Sequence, residues 1–347
     1  MKHAIFLLLP SITIQSIRLP LLFGGVILLL IMAVLFGAVG LSVESVVAVL
    51  SGKGEHSAEI IISNLRVPRA LTAILVGIHF SLAGAILQAV TRNPLADPSI
   101  LGVSQGAVLS VVVFLLFTVF IGNSDGSRLF TLPVQYLSLV GTIGGLLTGL
   151  LVYVLTLRHR LSPLRLTLMG IAVGATLQAI AIGIVAGWGS TRVESLLLWI
   201  SGSLYARGWE HFFYLLPWTI LGVLLMPLLQ RPYFLLQMED SAATSFGLSV
   251  MRYRTLAFAI ASGLAASAVG VVGPVGFIGL VVPHIARSLV GRDTRSYFIM
   301  TALLGAAFVL GADLLGRTLL APEEIPVGLV SSVLGAPLFL YLLRRNG

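Results

Sequence analysis

The stretch "RVPRALTAILVGIHFSLAG" (Arg66–Gly84) decides the fold class, because two arginines open it and a long, largely apolar run follows. Similar runs recur along the chain, which is 57% hydrophobic and only 10% charged. A soluble domain carries about 25% charged residues. The composition therefore predicts a membrane protein. Its spans should be helices, because lipid offers backbone groups no hydrogen-bonding partner.

Ten apolar runs are candidates for crossing a bilayer, which takes roughly 20 residues. They cover residues 19–40, 70–90, 103–121, 134–157, 164–188, 212–229, 255–272, 276–289, 297–320 and 326–342. The eighth run is short and rich in glycine, which favours an oblique helix buried within the protein. We expect an all-α polytopic membrane protein with one transmembrane domain over residues 1–347.

The distribution of Lys and Arg predicts the orientation. With ten spans both termini share one side, and that side holds 14 of the 21 basic residues but four of the 13 acidic ones. Because cytoplasmic loops are enriched in Lys and Arg, both termini should be cytoplasmic. Arg66 and Arg69 then lie outside, against the general bias, where snorkelling at the end of a span is the simplest explanation.

An internal repeat emerges when the chain is shifted by 186 residues, which aligns the opening stretch with "RYRTLAFAIASGLAASAVG" (Arg252–Gly270). Gly77 then stands opposite Gly263, and Gly84 opposite Gly270. Chance is an alternative, because small residues are common where membrane helices touch. The shift covers five spans, an odd number, so the two halves, about 1–205 and 206–347, would be inverted, as in many transporters.

The source of energy should lie in another chain. Ion-coupled carriers usually place acids within the membrane, and here Asp313 is the nearest. With Arg317 four residues later, Asp313 either forms a helix-face ion pair or has a functional role. The only lysines, Lys2 and Lys53, lie outside any G-x-x-x-x-G-K-[ST] motif for ATP. The lack of cysteine excludes disulfides and thiolate metal sites.

The longest predicted cytoplasmic loop, residues 230–254, contains "MEDSAATSFGLSV". Glu239 and Asp240 suit a helix N-terminus through its dipole, and Gly247 suits a C′ cap. We therefore predict a short helix on the cytoplasmic face, which either docks a partner or is a solvated loop helix. After the second span, Asn93-Pro94 and Asp97-Pro98 should break the helix. Arg92 and Asp97 could tether this re-entrant turn, but plain turn chemistry is the favoured explanation.

Five motifs in order carry a family resemblance: "RVPRALTAILVG", "LAGAILQAVTRNPLADPSILGVSQGA", "LLLWISGSLYARGWEH", "GPVGFIGLVVPHIARSLVGRD" and "GADLLGRTLLAPEEIPVGLVSSVLGAPLFLYLL". From about residue 66 to 345 the chain resembles the permease subunits of ABC importers for iron-siderophores, haem and cobalamin (FecCD type). The resemblance implies a dimer of permeases in a bacterial plasma membrane, two cytoplasmic ATPase subunits that use ATP and magnesium, and an extracytoplasmic binding protein. It implies no cofactor, metal or catalytic residue in this chain.

The resemblance also implies roles for particular residues. The docking contacts for the binding protein would be Arg66, Arg69 and Arg317. ATPase coupling would involve Glu239, Asp240, Ser241, Thr244, Phe246 and Gly247, although the family often has a more charged, alanine-rich helix ending in Leu-Gly here. The translocation path and inner gate would use Ser162, Pro163, Gly170, Gly174, Thr176 and Gln178.

The substrate expected from the resemblance is a ferric siderophore, because "LLLWISGSLYARGWEH" is most similar to that branch. Haem and cobalamin are the alternatives within the family. Outside it, the alternatives are an ion-coupled secondary transporter, a membrane scaffold without transport activity, and a membrane-embedded enzyme.

Overall fold

The computed structural model describes residues 14–121, 134–158, 161–187, 199–290 and 293–346. Helices dominate these ranges, and no strand occurs within them. Two π-helical segments, Ile61–Arg66 and Leu116–Ile121, and a 3-10 helix, Pro98–Leu101, adjoin α-helices. The α-helices are α1 (Ile14–Leu35), α2 (Val43–Leu50), α3 (His56–Ile60), α4 (Val67–Thr91), α5 (Val103–Leu115), α6 (Val134–Leu157), α7 (Pro163–Ala186), α8 (Trp209–Leu236), α9 (Asp240–Ser245), α10 (Val250–Val272), α11 (Ile278–Val290), α12 (Thr294–Thr318) and α13 (Val327–Asn346).

The prediction of apolar membrane helices is confirmed. In the part of the chain that the structure describes, seven helices are long and apolar enough to cross a membrane, and shorter apolar helices occupy the other three predicted runs. Two of these, α5 and α11, have 13 residues each, or about 20 Å of helix against a hydrocarbon core of about 30 Å. The count of ten crossing helices therefore stays a prediction. The predicted end of the fifth span, residue 188, lies outside the described residues.

The centre of the protein is formed by α4 and α10, which are largely buried by the other helices. Glycines allow the backbones to touch: a methyl group at Gly77 of α4 would lie 2.1 Å from the carbonyl oxygen of Gly305 in α12. A methyl group at Gly141 of α6 would lie 2.9 Å from Cα of Gly270 in α10. The predicted repeat pairs α4 with α10 and α6 with α12. The contact of α4 with α12 therefore corresponds to that of α10 with α6, as an inverted repeat predicts.

The residue register of the predicted repeat is not reproduced at these contacts. The 186-residue shift places Gly77 opposite Gly263, which faces the ring of Trp218 on α8. Gly270, two helical turns later, makes the contact with α6 instead. Small residues recur about every turn along both helices, so sequence similarity could not select one register. The proposed boundaries of the two halves stay a prediction.

A re-entrant turn connects α4 to α5. Arg92 ends α4 in a left-handed conformation with φ of 52°, and Asp97 caps the 3-10 helix by accepting hydrogen bonds from the Ser99 amide and hydroxyl at 3.0 and 2.8 Å. Gly102, with φ of 75°, then allows the chain to enter α5. The prediction that this turn breaks the helix is confirmed, and Asp97 stabilises it locally.

Candidate functional site

Two clusters of charged residues lie at opposite ends of the bundle. We call the end that carries Arg66 the outer face and the end that carries α9 the inner face, following the predicted orientation.

Arg66 lies at the outer face, at the end of the π-helical segment that precedes α4. It is only 4% exposed. Its Nη1 donates hydrogen bonds of 2.8 and 2.7 Å to the carbonyl oxygens of Val34 and Leu35, and its Nη2 donates to that of Val39. A cation at the carboxyl end of a helix satisfies free carbonyl groups and interacts favourably with the helix dipole. Arg66 therefore fixes the outer end of α1.

Asp313 of α12 lies between two arginines of the outer face. Arg69 donates from Nε and Nη2 to its Oδ1 at 3.0 and 2.8 Å, and it also donates from Nη1 to Oε1 of Glu324 at 3.0 Å. The predicted helix-face pair is present as well, with Nε of Arg317 at 3.5 Å from Oδ2 of Asp313. Asp313 and Arg317 are both only 2% exposed. The carboxylate is thus engaged by cations on two helices.

The three arginines predicted to dock a binding protein therefore have partners within the chain. Arg317 also donates a 2.7 Å hydrogen bond to the Ala33 carbonyl oxygen of α1. Direct docking at Arg66 and Arg317 would require these guanidinium groups to leave buried partners. Arg69 is the most accessible of the three, with a side chain 13% exposed. The docking role stays a prediction, and the geometry gives all three an intramolecular role.

The predicted inner-face helix is present as α9, which has six residues, or less than two turns. Its C-terminus has the predicted cap: Gly247 has φ of 80°, and the Gly247 and Leu248 amides donate to the carbonyl oxygens of Thr244 and Ala243 at 2.8 and 3.1 Å. This pair of hydrogen bonds is the Schellman motif. Ala243 and Leu248 are buried, so the helix rests on the bundle by its apolar side.

The opposite side of α9 is exposed. Phe246 is 71% exposed, and solvent also reaches Glu239, Ser241, Thr244 and Gly247. We call these five residues the partner-facing surface of α9, after the ATPase-coupling role that the family resemblance implies for them; that role stays a prediction.

Asp240, at the first position of α9, binds to the bundle. Its Oδ1 accepts a 2.7 Å hydrogen bond from Nη2 of Arg254 and a further one from Nη2 of Arg92. The hydrogen bond from Arg254, followed by that from Arg92, holds the pKa of the Asp240 carboxyl below its ordinary value of 3.8. The prediction that Arg92 tethers the re-entrant turn is not confirmed, because its side chain binds Asp240 and the Leu236 carbonyl oxygen instead.

The predicted path along α7 needs a correction. Gly170 and Gly174 are buried against the re-entrant turn: a methyl group at Gly170 would lie 2.6 Å from the Ile100 carbonyl oxygen, and one at Gly174 would lie 3.2 Å from Cα of Gly102. Both glycines therefore serve helix packing and line no open surface of this chain. Spacing alone could not tell a packed face from an open one.

The other predicted path residues remain accessible. Thr176 is exposed and Gln178 half-buried, on a helix whose other exposed side chains are apolar apart from Arg165 near its start. Ser162 and Pro163 are half-buried at the start of α7, where Pro163 occupies a first-turn position that needs no backbone N–H.

A cavity of about 370 Å³ adjoins the re-entrant turn. It is lined by Ser99, Ser104 and Gln105 on one side and by the loop after α10 and the start of α13 on the other. Its side chains carry no formal charge. Within the described residues no group of three His, Asp or Glu side chains could hold a metal ion.

A match to a known protein family identifies the class of membrane protein to which this arrangement belongs. The model of the FecCD transport family matches residues 25–345. The chain belongs to the FecCD transport family. The resemblance inferred from the five motifs is thereby confirmed.

Relatives in this family are similar over almost their whole length. The chain is 38% identical to the iron(3+)-hydroxamate import system permease protein FhuG of Bacillus subtilis over 333 residues, which cover 94% of this chain and 97% of the relative. It is 37% identical to the Fe(3+)-citrate import system permease protein YfmE of the same organism, with 92% of each chain covered. Like these relatives, this FecCD-family chain is a multi-pass membrane permease.

A solved structure supports the same assignment. The fold matches a chain described as an inward-facing conformation of a metal-chelate type ABC transporter, with a TM-score of 0.80, 28% sequence identity, and coverage of 94% of this chain and 99% of the other. The all-helical transporter architecture expected from the sequence is therefore confirmed.

Sequence reasoning missed two contributors to these clusters. Glu324, in the loop before α13, was one of two adjacent acids in "APEEIP", and nothing local indicated which arginine it would bind. Arg254 was counted only as a cytoplasmic charge, although it is fully buried. A fully buried arginine must have a charged or carbonyl partner, but burial becomes visible only in the folded protein.

Proposed function

We propose that this FecCD-family permease carries a ferric siderophore across a bacterial plasma membrane as part of an ATP-driven importer. The observation that carries the proposal is the family match over residues 25–345, together with relatives whose names specify iron(3+)-hydroxamate and Fe(3+)-citrate import. Haem or cobalamin import is the alternative within the same architecture.

The assembly that we propose contains two permease subunits, identical or paralogous, two cytoplasmic ATPase subunits and an extracytoplasmic binding protein. Both termini of this chain would be cytoplasmic. The exposed apolar faces of α7 and α13, such as Leu168 at 56% and Val333 at 65%, provide surface for lipid and for the second permease. ATP and magnesium would bind to the partner ATPase. This chain would hold neither a resident cofactor nor a catalytic residue.

Within this assembly, the partner-facing surface of α9 contacts the ATPase, and Phe246 is its largest apolar contact. Ser162 and Pro163 form the inner gate at the start of α7, and Thr176 and Gln178 face the path. These neutral groups suit a bulky chelate, because they offer hydrogen bonds without a charge that would trap it.

Ion-coupled transport by this chain alone is disfavoured by the outer cluster. A proton- or ion-coupled carrier needs a carboxylate that is free to exchange its cation. Asp313, the acid nearest to the middle of a described span, is already engaged by Arg69 and Arg317.

Uptake in proteoliposomes tests the proposal. The permease is reconstituted with its proposed ATPase and binding-protein partners and offered radiolabelled ferric hydroxamate, ferric citrate, haem and cobalamin. We expect ATP-dependent uptake of a ferric chelate. Uptake confined to haem or cobalamin would overturn the siderophore assignment. Uptake driven by a proton or sodium gradient without the ATPase would overturn the importer class.

A further inference from the structure

Arg254 is a fully buried cation at the inner end of α10. Its Nη2 and Nη1 donate to Oδ1 and Oδ2 of Asp240 at 2.7 and 3.3 Å, so the guanidinium binds the carboxylate through both oxygens. Such a paired arrangement fixes direction as well as distance. The first residue of α9 is thereby held in one orientation relative to α10.

The same guanidinium also reaches the chain segment before α7. Nη1 of Arg254 donates a 3.3 Å hydrogen bond to the carbonyl oxygen of Leu161. Leu161 is fully buried and has φ of 52°, a left-handed conformation that is unfavourable for a residue with a branched side chain. The hydrogen bond from Arg254 helps to hold this conformation, and the next residue, Ser162, begins the predicted gate.

Asp240 is held from a second direction by Arg92. Arg92 lies at the end of α4 and donates from Nε to the Leu236 carbonyl oxygen at the end of α8, at 3.0 Å. The carboxylate of Asp240 is therefore fixed on one side to α4 and α8 and on the other, through Arg254, to α10 and the segment before α7. If α9 moves, either Leu161 moves with it or one of these hydrogen bonds breaks.

We propose that Asp240 and Arg254 are positioning residues that transmit movement of the ATPase-bound helix α9 to the gate at Ser162 and Pro163. This inference rests on the proposed function, because it assumes that an ATPase binds α9. Asp240 thus faces the bundle, while the partner-facing surface of α9 makes the contact with the ATPase. Simple anchoring of α9 is the alternative that the experiment must separate.

The test uses the absence of cysteine from the natural sequence. A Ser162→Cys permease, assembled with its ATPase, reports gate opening through the rate at which a thiol reagent labels the single cysteine with and without ATP. Asp240→Asn and Arg254→Lys are introduced into this background. Asp240→Asn removes the charge from a half-exposed side chain, and Arg254→Lys keeps the buried charge but cannot bind Asp240 and Leu161 in the same way. The exposed Arg252→Gln is the matched control.

In the assembled complex we expect ATP to change the labelling rate by on the order of tenfold in the Ser162→Cys background and in the Arg252→Gln control. In Asp240→Asn and Arg254→Lys the change should largely disappear, although the ATPase still co-purifies and still hydrolyses ATP. A full ATP response in both variants would overturn the inference. Loss of ATPase binding in Asp240→Asn would also overturn it, in favour of simple anchoring. If the Ser162→Cys background itself neither binds the ATPase nor responds to ATP, the proposed function fails instead.

Discussion

Replacement of Arg69 by methionine separates an intramolecular role at the outer face from a docking role. The change removes two hydrogen bonds to Asp313 and the ion pair with Glu324, at distances of 2.8 to 3.0 Å. The Asp313 side chain is only 1% exposed and would keep Arg317 alone, at 3.5 Å. Removal of one partner from a buried ion pair costs about 3–5 kcal/mol. We expect the free energy of unfolding to fall by about this amount.

The measurement is unfolding of the purified permease by sodium dodecyl sulfate in mixed micelles, followed by tryptophan fluorescence, with no binding protein present. The double variant Arg69→Met/Asp313→Leu should lose less than the sum of the single variants, by about 0.5–3 kcal/mol, because the two residues contact each other. Lys53→Met, which removes an exposed cation on the same face, is the control and should unfold like the natural protein.

The result that would refute this reasoning is an Arg69→Met permease that unfolds like the natural protein. If that variant also loses stimulation of the assembled importer by the binding protein, docking is the function of Arg69. If it loses stability and the double variant loses less than the sum of the two single variants, the intramolecular ion pair is the function.

Three further predictions concern helix packing, the α9 cap and pH. Gly84→Ala should destabilise the fold by about 1–3 kcal/mol, because its methyl group would lie 2.0 Å from the Gly279 carbonyl oxygen. The measurement is the folded protein that size-exclusion chromatography retains after heating, which the control Gly311→Ala, with open space around it, should leave unchanged. Gly247→Ala should weaken capture of the ATPase by on the order of tenfold, because alanine at φ of 80° costs about 1–2 kcal/mol; equal capture in a pull-down would contradict the role of the cap. Because Asp240 has a depressed pKa when folded, its stabilising effect should be complete above its ordinary pKa of 3.8 and disappear as the pH falls through the depressed value. The difference in stability between the natural protein and Asp240→Asn should thus be constant from about pH 5 to 8 and shrink in stronger acid, and a difference that changes between those two pH values would exclude Asp240 as its source.

Local patterns were the part of the structure that the sequence predicted well. The run 134–157 became α6 with the same bounds, and Gly247 adopted the left-handed conformation expected of a C′ cap. The pair of Asp313 and Arg317 formed as expected from their spacing of four residues. Each of these features depends on neighbours within a turn or two of helix, so the necessary information lies within a short stretch of sequence.

Partners distant in sequence could not be predicted in the same way. Arg66 looked like a charge at the mouth of a span, and its partners are carbonyl oxygens at the end of α1, about 30 residues earlier. Gly170 and Gly174 are small enough to line a translocation path, yet they face the re-entrant turn. Arginine can bind any exposed carbonyl or carboxylate, and glycine suits both a packed and an open face, so the residue type leaves the partner open.

The sequence by itself therefore determined that this chain is a helical membrane permease of the FecCD family, because apolar runs, caps and motif order are properties of the chain itself. Only the tertiary structure decided which helices meet, that the outer arginines bind within the chain, and that Asp240 is joined through Arg254 to the segment before α7. The physical reason is that burial requires each charge to find a partner, and the identity of that partner depends on which helix ends the packing brings together.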